Sequence, residues 1–148
     1  MIRLARRNDE YAIRACVESA YAPYVAAIGS KPAPMVADYA ARIDGGKIYV
    51  AEDANNRFLG FVVFYPDGRH MLLENVAVLP SARGRGIGKK LITFCEEEAR
   101  RLGLDAVHLY TNEKMAENLL IYPRLGYAEV ARRAQDGFMR VFFAKPLT

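Results

Sequence analysis

The chain predicts an α+β domain: a mixed, mostly antiparallel sheet carrying helices, with elements in the order βααβββαβαββ. Three observations support it. Short Val- and aromatic-rich runs separated by turn residues fill the stretch from Lys47 to Val78, as in an antiparallel meander. A helical pattern starts at Ile87 and continues through Leu91, Phe94, Cys95, Ala99 and Leu102, directly after a glycine-rich turn. Two further apolar runs flank Gln135-Asp136-Gly137 as a closing hairpin.

Taken in order, Ile2 to Ala5 reads as a first strand, and Asn8 or Asp9 can cap a helix whose apolar face is Ile13, Cys16, Val17 and Ala20. The segment Tyr21 to Pro34 is dense in Pro and Gly and reads as a loop or broken helix. A second helix is expected from near Pro34, burying Met35, Val36, Tyr39 and Ile43 and stopping at Gly45-Gly46. Lys47 to Glu52 and Phe58 to Tyr65 form a hairpin about Asn55-Asn56, and Asp67-Gly68 returns the chain into Met71 to Val78. The helix that follows ends at Leu102-Gly103. As a crossover, it makes Ala106 to Tyr110 parallel to Met71–Val78. A short helix from Lys114 to about Tyr122 precedes the final hairpin, Tyr127 to Ala134 and Phe138 to Ala144.

With 148 residues and no linker or repeat, residues 1–148 are expected to be one domain with its own core. Hydrophobic residues make up 52% and charged residues 26%, the balance of a soluble globular chain, so a cytoplasmic protein without a membrane segment is expected. The net charge of +4 concentrates at Arg3/Arg6/Arg7 and at Arg83/Arg85/Lys89/Lys90. Such an excess suits a polyanionic small ligand. Nucleic-acid binding is disfavoured, because interleaved exposed aromatics and a continuous basic face are missing. Cys16 and Cys95 fall on apolar helix faces as reduced thiols. His70 and His108 lie far apart in the chain without ligand-spaced neighbours, so no metal is expected.

Chemistry concentrates after the strand that ends at Val78. Pro80 and Ser81 stop it, and Arg83-Gly84-Arg85-Gly86-Ile87-Gly88-Lys89-Lys90 opens the helix. Glycines let backbone N–H groups turn toward a ligand, the helix dipole adds positive charge, and arginines add charge-assisted hydrogen bonds to phosphate. A Walker loop would need Gly where Arg83 stands and Ser or Thr where Lys90 stands. The dinucleotide fingerprint needs G-x-G-x-x-G, whereas this spacing is G-x-G-x-G. A second pattern lies downstream, where a short helix ends in Tyr122 and is followed by Leu125, Gly126 and Tyr127.

The Arg-x-x-Gly-x-Gly of Arg83–Gly88 after a Val-x-Pro strand end, together with the Tyr122…Leu125-Gly126-Tyr127 pattern, resembles the GNAT N-acetyltransferase family, and the element order extends the resemblance over nearly the whole chain. Two departures from the commonest version stand out: Met115 and Asn118 replace an Asn and a small residue before the Tyr, and Pro123 follows it. Pro123 is expected to end or kink the helix at Tyr122.

The resemblance implies an α/β/α sandwich of the GNAT fold that moves an acetyl group from acetyl-CoA, as co-substrate, to a primary amine by direct attack in a ternary complex. It implies that Val76 and Val78 line up with the pantetheine and that a backbone N–H near Val78 meets the thioester carbonyl. It also implies that Gly84, Gly86, Ile87, Gly88 and Lys89, with Arg83 and Arg85, hold the pyrophosphate. Asn118 is the substitute for the missing amide contact. Tyr122 is expected to protonate the leaving thiolate, its alternative role being packing. Glu74, the one acidic residue in the central apolar strand, shares the parity of Val76 and Val78 unless a bulge, usual in the family, alters the count of faces; it is the candidate base and reads equally as a carboxylate paired with Arg or Lys. Tyr24, Asp38 and Tyr39 are expected at the acceptor groove, with Asp38 facing a cationic amine, unless these aromatics are simply core. The acceptor is a small-molecule or protein amine, a homodimer is left open, and a non-catalytic acyl-CoA-binding module on the same fold is the alternative function.

Overall fold

The computed structural model describes residues 1–147. Strand β1 (Ile2–Leu4) leads through a 3-10 turn into helix α1 (Glu10–Tyr21). The Asp9 carboxylate accepts the Arg6 N–H at 2.7 Å and the Arg3 guanidinium at 2.8 and 2.9 Å, so part of the first basic cluster is paired within the fold. The Pro-rich stretch is a broken helix: a 3-10 turn, the one-turn helix α2 (Val25–Ile28) ended by Gly29 at φ 89°, and a second 3-10 turn at Ala33–Met35. Helix α3 (Tyr39–Asp44) starts later than Pro34 because Asp38 is its cap, accepting the Ala41 N–H at 3.0 Å. Tyr39 and Ile43 are buried as expected, while Val36, outside the helix, is 69% exposed.

Strands β2 (Ile48–Glu52), β3 (Phe58–Asp67) and β4 (His70–Val78) form the meander, and α4 (Ile87–Arg101) crosses to β5 (Ala106–Asn112). After α5 (Ala116–Arg124), β6 (Ala128–Gln135) and β7 (Phe138–Pro146) close the chain. The seven strands stand in the order β1-β2-β3-β4-β5-β7-β6, with β4–β5 parallel and every other pair antiparallel. Ile13, Cys16, Val17 and Tyr39 pack one sheet face against Val50, Phe61, Val63 and Ala77. Leu91, Cys95 and Ala99 of α4 pack the other against Val62, Phe64, Leu73 and Val107.

Two irregularities in β4 shape everything downstream. Its pairing with β5 covers only His70–Leu72 against Ala106–His108, after which the strands part. On β3 the register runs Val63↔Asn75 and then Phe64↔Leu73, so Glu74 is the extra residue of a bulge. The bulge overturns simple parity: Val76 and Val78 pack on the α4 side, whereas Glu74 reaches Arg42 of α3 and Asn75 reaches Tyr21 of α1. Glu74 therefore lies on the face opposite Val76 and Val78.

Three other differences from expectation have local causes. Pro123 sits inside the last turn of α5 and does not end it; the helix closes two residues on, where the Tyr127 N–H returns to the Tyr122 carbonyl at 3.1 Å past Gly126 at φ 96°. On α4, Leu102 is the C-terminal cap residue and 48% exposed, whereas Glu96 is buried at 5% exposure. His70 and His108, distant in sequence, stack with ring centroids 3.8 Å apart because the short parallel pairing aligns them.

Gly60 of β3 is required by close approach, since a Cβ there would stand 2.6 Å from the Ala77 carbonyl oxygen. Gly60→Ala must push β4 away, and a loss of about 1–3 kcal/mol is expected in urea unfolding. An unchanged midpoint would show that the β3–β4 pairing has room to give.

Candidate active site

The parting of β4 from β5 opens a cavity of about 240 Å³, walled by Leu73–Val76, by Leu109–Asn112 and by the Pro32–Pro34 segment. The Leu79 N–H donates to the Leu59 carbonyl on β3 at 2.9 Å. By strand alternation the amides of Val78 and Val76 point the other way, into the gap that β5 has left. Their main-chain donors and acceptors thus face the opening.

The glycine-rich loop lies at the end of β4. Gly84 and Gly86 adopt φ of 79° and 74°, a region open to glycine without strain. Among the described residues, no acceptor takes the backbone N–H groups of Gly84, Arg85, Gly86, Ile87, Gly88 and Lys89; the first α4 amide engaged is that of Lys90, to the Gly86 carbonyl at 3.1 Å. Gly88 lets the helix start close to Val78, whose Cγ2 would be 3.6 Å from a Cβ there. Arg83, Arg85 and Lys89 are exposed and form no ion pair among the described residues. Six free amides, a helix N-terminus and unpaired cations make a site for a polyanion.

Tyr122 is buried, its ring 5.9 Å edge-on from Tyr127 and 5.8 Å from Phe143, and it lines the cavity. Its hydroxyl makes no hydrogen bond to the described residues, and burial pushes the phenol up to about 12. Met115, in place of the usual Asn, is buried with its sulfur 3.6 Å from the Thr111 hydroxyl. Asn118 donates to that same hydroxyl at 3.1 Å and lines the cavity beside it.

Glu74 meets Arg42 through paired hydrogen bonds of 2.9 and 3.0 Å and accepts the Tyr65 hydroxyl at 2.8 Å. The carboxylate in turn raises the Arg42 pKa. Both Glu74 and Arg42 line the cavity. Tyr39 also lines it, its hydroxyl accepting from Asn75 Nδ2 at 3.1 Å and donating to the Pro34 carbonyl. Asp38 is exposed, capping α3, and Tyr24 is partly buried; neither is part of the cavity wall. Sequence reasoning missed Arg42, one turn after Asp38 on α3. It also missed Asn75, whose Oδ1 takes the Tyr21 hydroxyl and ties α1, α3 and the Pro-rich turn to β4. The available signal was a polar pair, Glu74-Asn75, inside an apolar strand. Among the described residues no group of three or more His, Cys, Asp or Glu is placed to hold a metal ion.

A splayed mixed sheet with a loop of free amides and unpaired cations following the strand at its opening frames the candidate site. The family model described as an acetyltransferase (GNAT) domain matches residues 44–129, more than half of the chain, and the chain belongs to the GNAT acetyltransferase family. The IAA acetyltransferase of Azospirillum brasilense is 33% identical over 90 residues, covering 60% of this chain and 59% of that one. The aminoalkylphosphonate N-acetyltransferase of Salmonella typhimurium is 39% identical over 57 residues, covering 38% and 37% respectively. The chain thus spans well under two thirds of the length of the curated relatives it matches. The structure of a paia N-acetyltransferase from Thermoplasma acidophilum in complex with coenzyme A shares the fold, with a TM-score of 0.79 over 99% of this chain and 98% of that one at 15% identity.

Proposed function

We propose that the protein transfers an acetyl group from acetyl-CoA to a primary amine by direct attack in a ternary complex. One observation carries this reading: an unpartnered Tyr122 phenol lies in the wall of the β4–β5 gap, and the free amides of Gly84–Lys89 follow the end of the same strand β4. Acetyl-CoA supplies a thioester that an amine can open without a covalent enzyme intermediate. The loop amides, with Arg83, Arg85 and Lys89, hold the pyrophosphate, and Val76 and Val78 pair with the pantetheine as a strand would. Asn118 extends that contact from α5. The Val78 N–H meets the oxygen on which negative charge develops.

An alkylammonium near pKa 10.4 costs about 4–5 kcal/mol to present neutral at pH 7. Glu74, fixed by Arg42 and Tyr65, attracts the ammonium and is the carboxylate through which its proton leaves. Tyr122 keeps its proton well above neutrality and offers it to the departing thiolate. Tyr39 shapes the acceptor side of the cavity. No helix among the described residues is long and apolar enough to cross a membrane; a cytoplasmic setting, where acetyl-CoA is made, accompanies this reading.

Thermal melting with acetyl-CoA, against CoA and ATP controls, tests the site. A ligand at 100 times its dissociation constant adds about 2.7 kcal/mol, and Arg83→Ala/Arg85→Ala is expected to abolish the shift. Amine-dependent release of the CoA thiol then separates catalysis from a non-catalytic binding module, which would stabilise without turnover.

A further inference from the structure

The chemistry above leaves one buried cation in the cavity wall without a task. Arg140 lies on β7 opposite Asn112 of β5 and is 6% exposed. Its Nη1 donates to Gln135 Oε1 at 3.0 Å and Asp136 Oδ2 at 3.2 Å, both at the β6–β7 turn. Its Nε and Nη2 have no acceptor among the described residues, yet no side-chain nitrogen or oxygen is sealed from solvent without a partner. Those two donors therefore touch open space, and Arg140 is part of the cavity wall. The guanidinium stands over the Tyr110 ring at 4.4 Å and within 5.9 Å of the Phe138 ring, which orients its plane. Its only carboxylate partner among the described residues, Asp136, is 75% exposed.

Holding the hairpin turn needs Nη1 alone. Water can satisfy the other two donors, and an anionic ligand that replaces it gains charge-assisted hydrogen bonds on a side chain already held in place. A pair of parallel donors on a fixed plane matches a carboxylate or a phosphonate. On the β4 wall of the same cavity stands Glu74, where the acceptor amine is drawn. We propose that the acceptor is a small amine carrying its own anionic group, a carboxylate or phosphonate, which Arg140 binds while the amine faces Glu74. This rests on the acetyl-transfer reading for the amine end. Amines with a second positive charge are rejected by the same arginine.

The test compares four amines, aminoethylphosphonate, β-alanine, propylamine and putrescine, as acetyl acceptors and as stabilisers in thermal melting without acetyl-CoA. The wild type is expected to prefer the two anionic amines over propylamine and to use putrescine least. The ranking of phosphonate against carboxylate identifies which anion fits. In Arg140→Gln the preference for anionic over neutral amine should fall by about thirty-fold or more, chiefly through KM, and the stabilisation by the anionic amines should vanish. Arg140→Lys, which keeps the charge without the fork, should recover part of both and is read alone if the Gln variant does not fold. A wild type that favours propylamine or putrescine overturns the proposal, as does an equal loss for all amines in variants that still melt normally. The two readings fail separately: loss of the acetyl-CoA shift removes acetyl transfer, whereas the Arg140-dependent shift with anionic amines judges this subsite independently.

Discussion

Tyr122→Phe is expected to lower kcat by about 100-fold or more while leaving the acetyl-CoA KM near its wild-type value. The change removes one hydroxyl that makes no hydrogen bond within the described residues, so neither packing nor the pyrophosphate loop is disturbed. Melting within a degree or two of wild type would separate chemistry from folding. Burial holds the phenol at about 12, so its ionisation cannot limit activity on the alkaline side below that value. Rate should therefore climb with pH as the acceptor amine loses its proton. The same shift bears on stability with a definite sign. The folded phenol keeps its proton longer than the unfolded one near 10, so its contribution is full below about pH 10 and is lost as pH rises to about 12. If the Phe variant kept wild-type kcat, Tyr122 would be a packing residue and the leaving thiolate would need another donor.

Glu96→Ala is expected to have the largest effect on stability, a loss of about 3 kcal/mol or more and a melting temperature lower by roughly 6–12 °C. The Glu96 carboxylate is buried, accepts the Tyr127 hydroxyl at 2.7 Å and receives the Lys145 ammonium at 3.1 and 3.2 Å. Lys145 also donates to the Leu125 carbonyl at 2.9 Å. Helix α4, the end of α5 and strand β7 are thus joined at one point. Removing the carboxylate leaves the partly buried ammonium with the Leu125 carbonyl as its one hydrogen-bond partner among the described residues. Lys145→Met in the Glu96→Ala background should restore part of the loss, because it removes the orphaned charge. A single variant with unchanged melting would show that Lys145 swings into water at no cost.

The fold was legible because its cues are local. Valine runs, turn dipeptides and the helical period of α4 act over a few residues, and β2 to β5 formed where those patterns lie. The conformation of the loop was equally legible, since Gly84 and Gly86 take the positive φ that leaves its backbone amides free. What could not be read depends on geometry that periodicity does not encode. The bulge at Glu74 inserts one residue and exchanges faces, which a count of alternate positions misses. Arg42 and Arg140 reach the cavity from α3 and β7, approximately 30 residues before Glu74 and 65 residues after it on simple spacing. The burial of Glu96 could not be read because its partner Lys145 comes from the far end of the chain. Asp38 was chosen as a ligand for its charge, whereas the folded chain spends that charge on a helix cap.

The short seam between β4 and β5 gives the sheet a mechanical character beyond its chemistry. Among the described residues, three residues on each side, backed by the His70–His108 stack and by Arg69 against Asp105, tie the β1–β4 leaf to the β5–β7 leaf. The molecule is therefore built as two leaves on a short hinge, and whatever pairs along Val76 and Val78 becomes a removable strand that clasps them. Occupancy would then register as slowed hydrogen exchange along the inner margin of the hinge and as resistance to proteolysis, making the lifetime of the folded chain itself a readout of its ligand's supply.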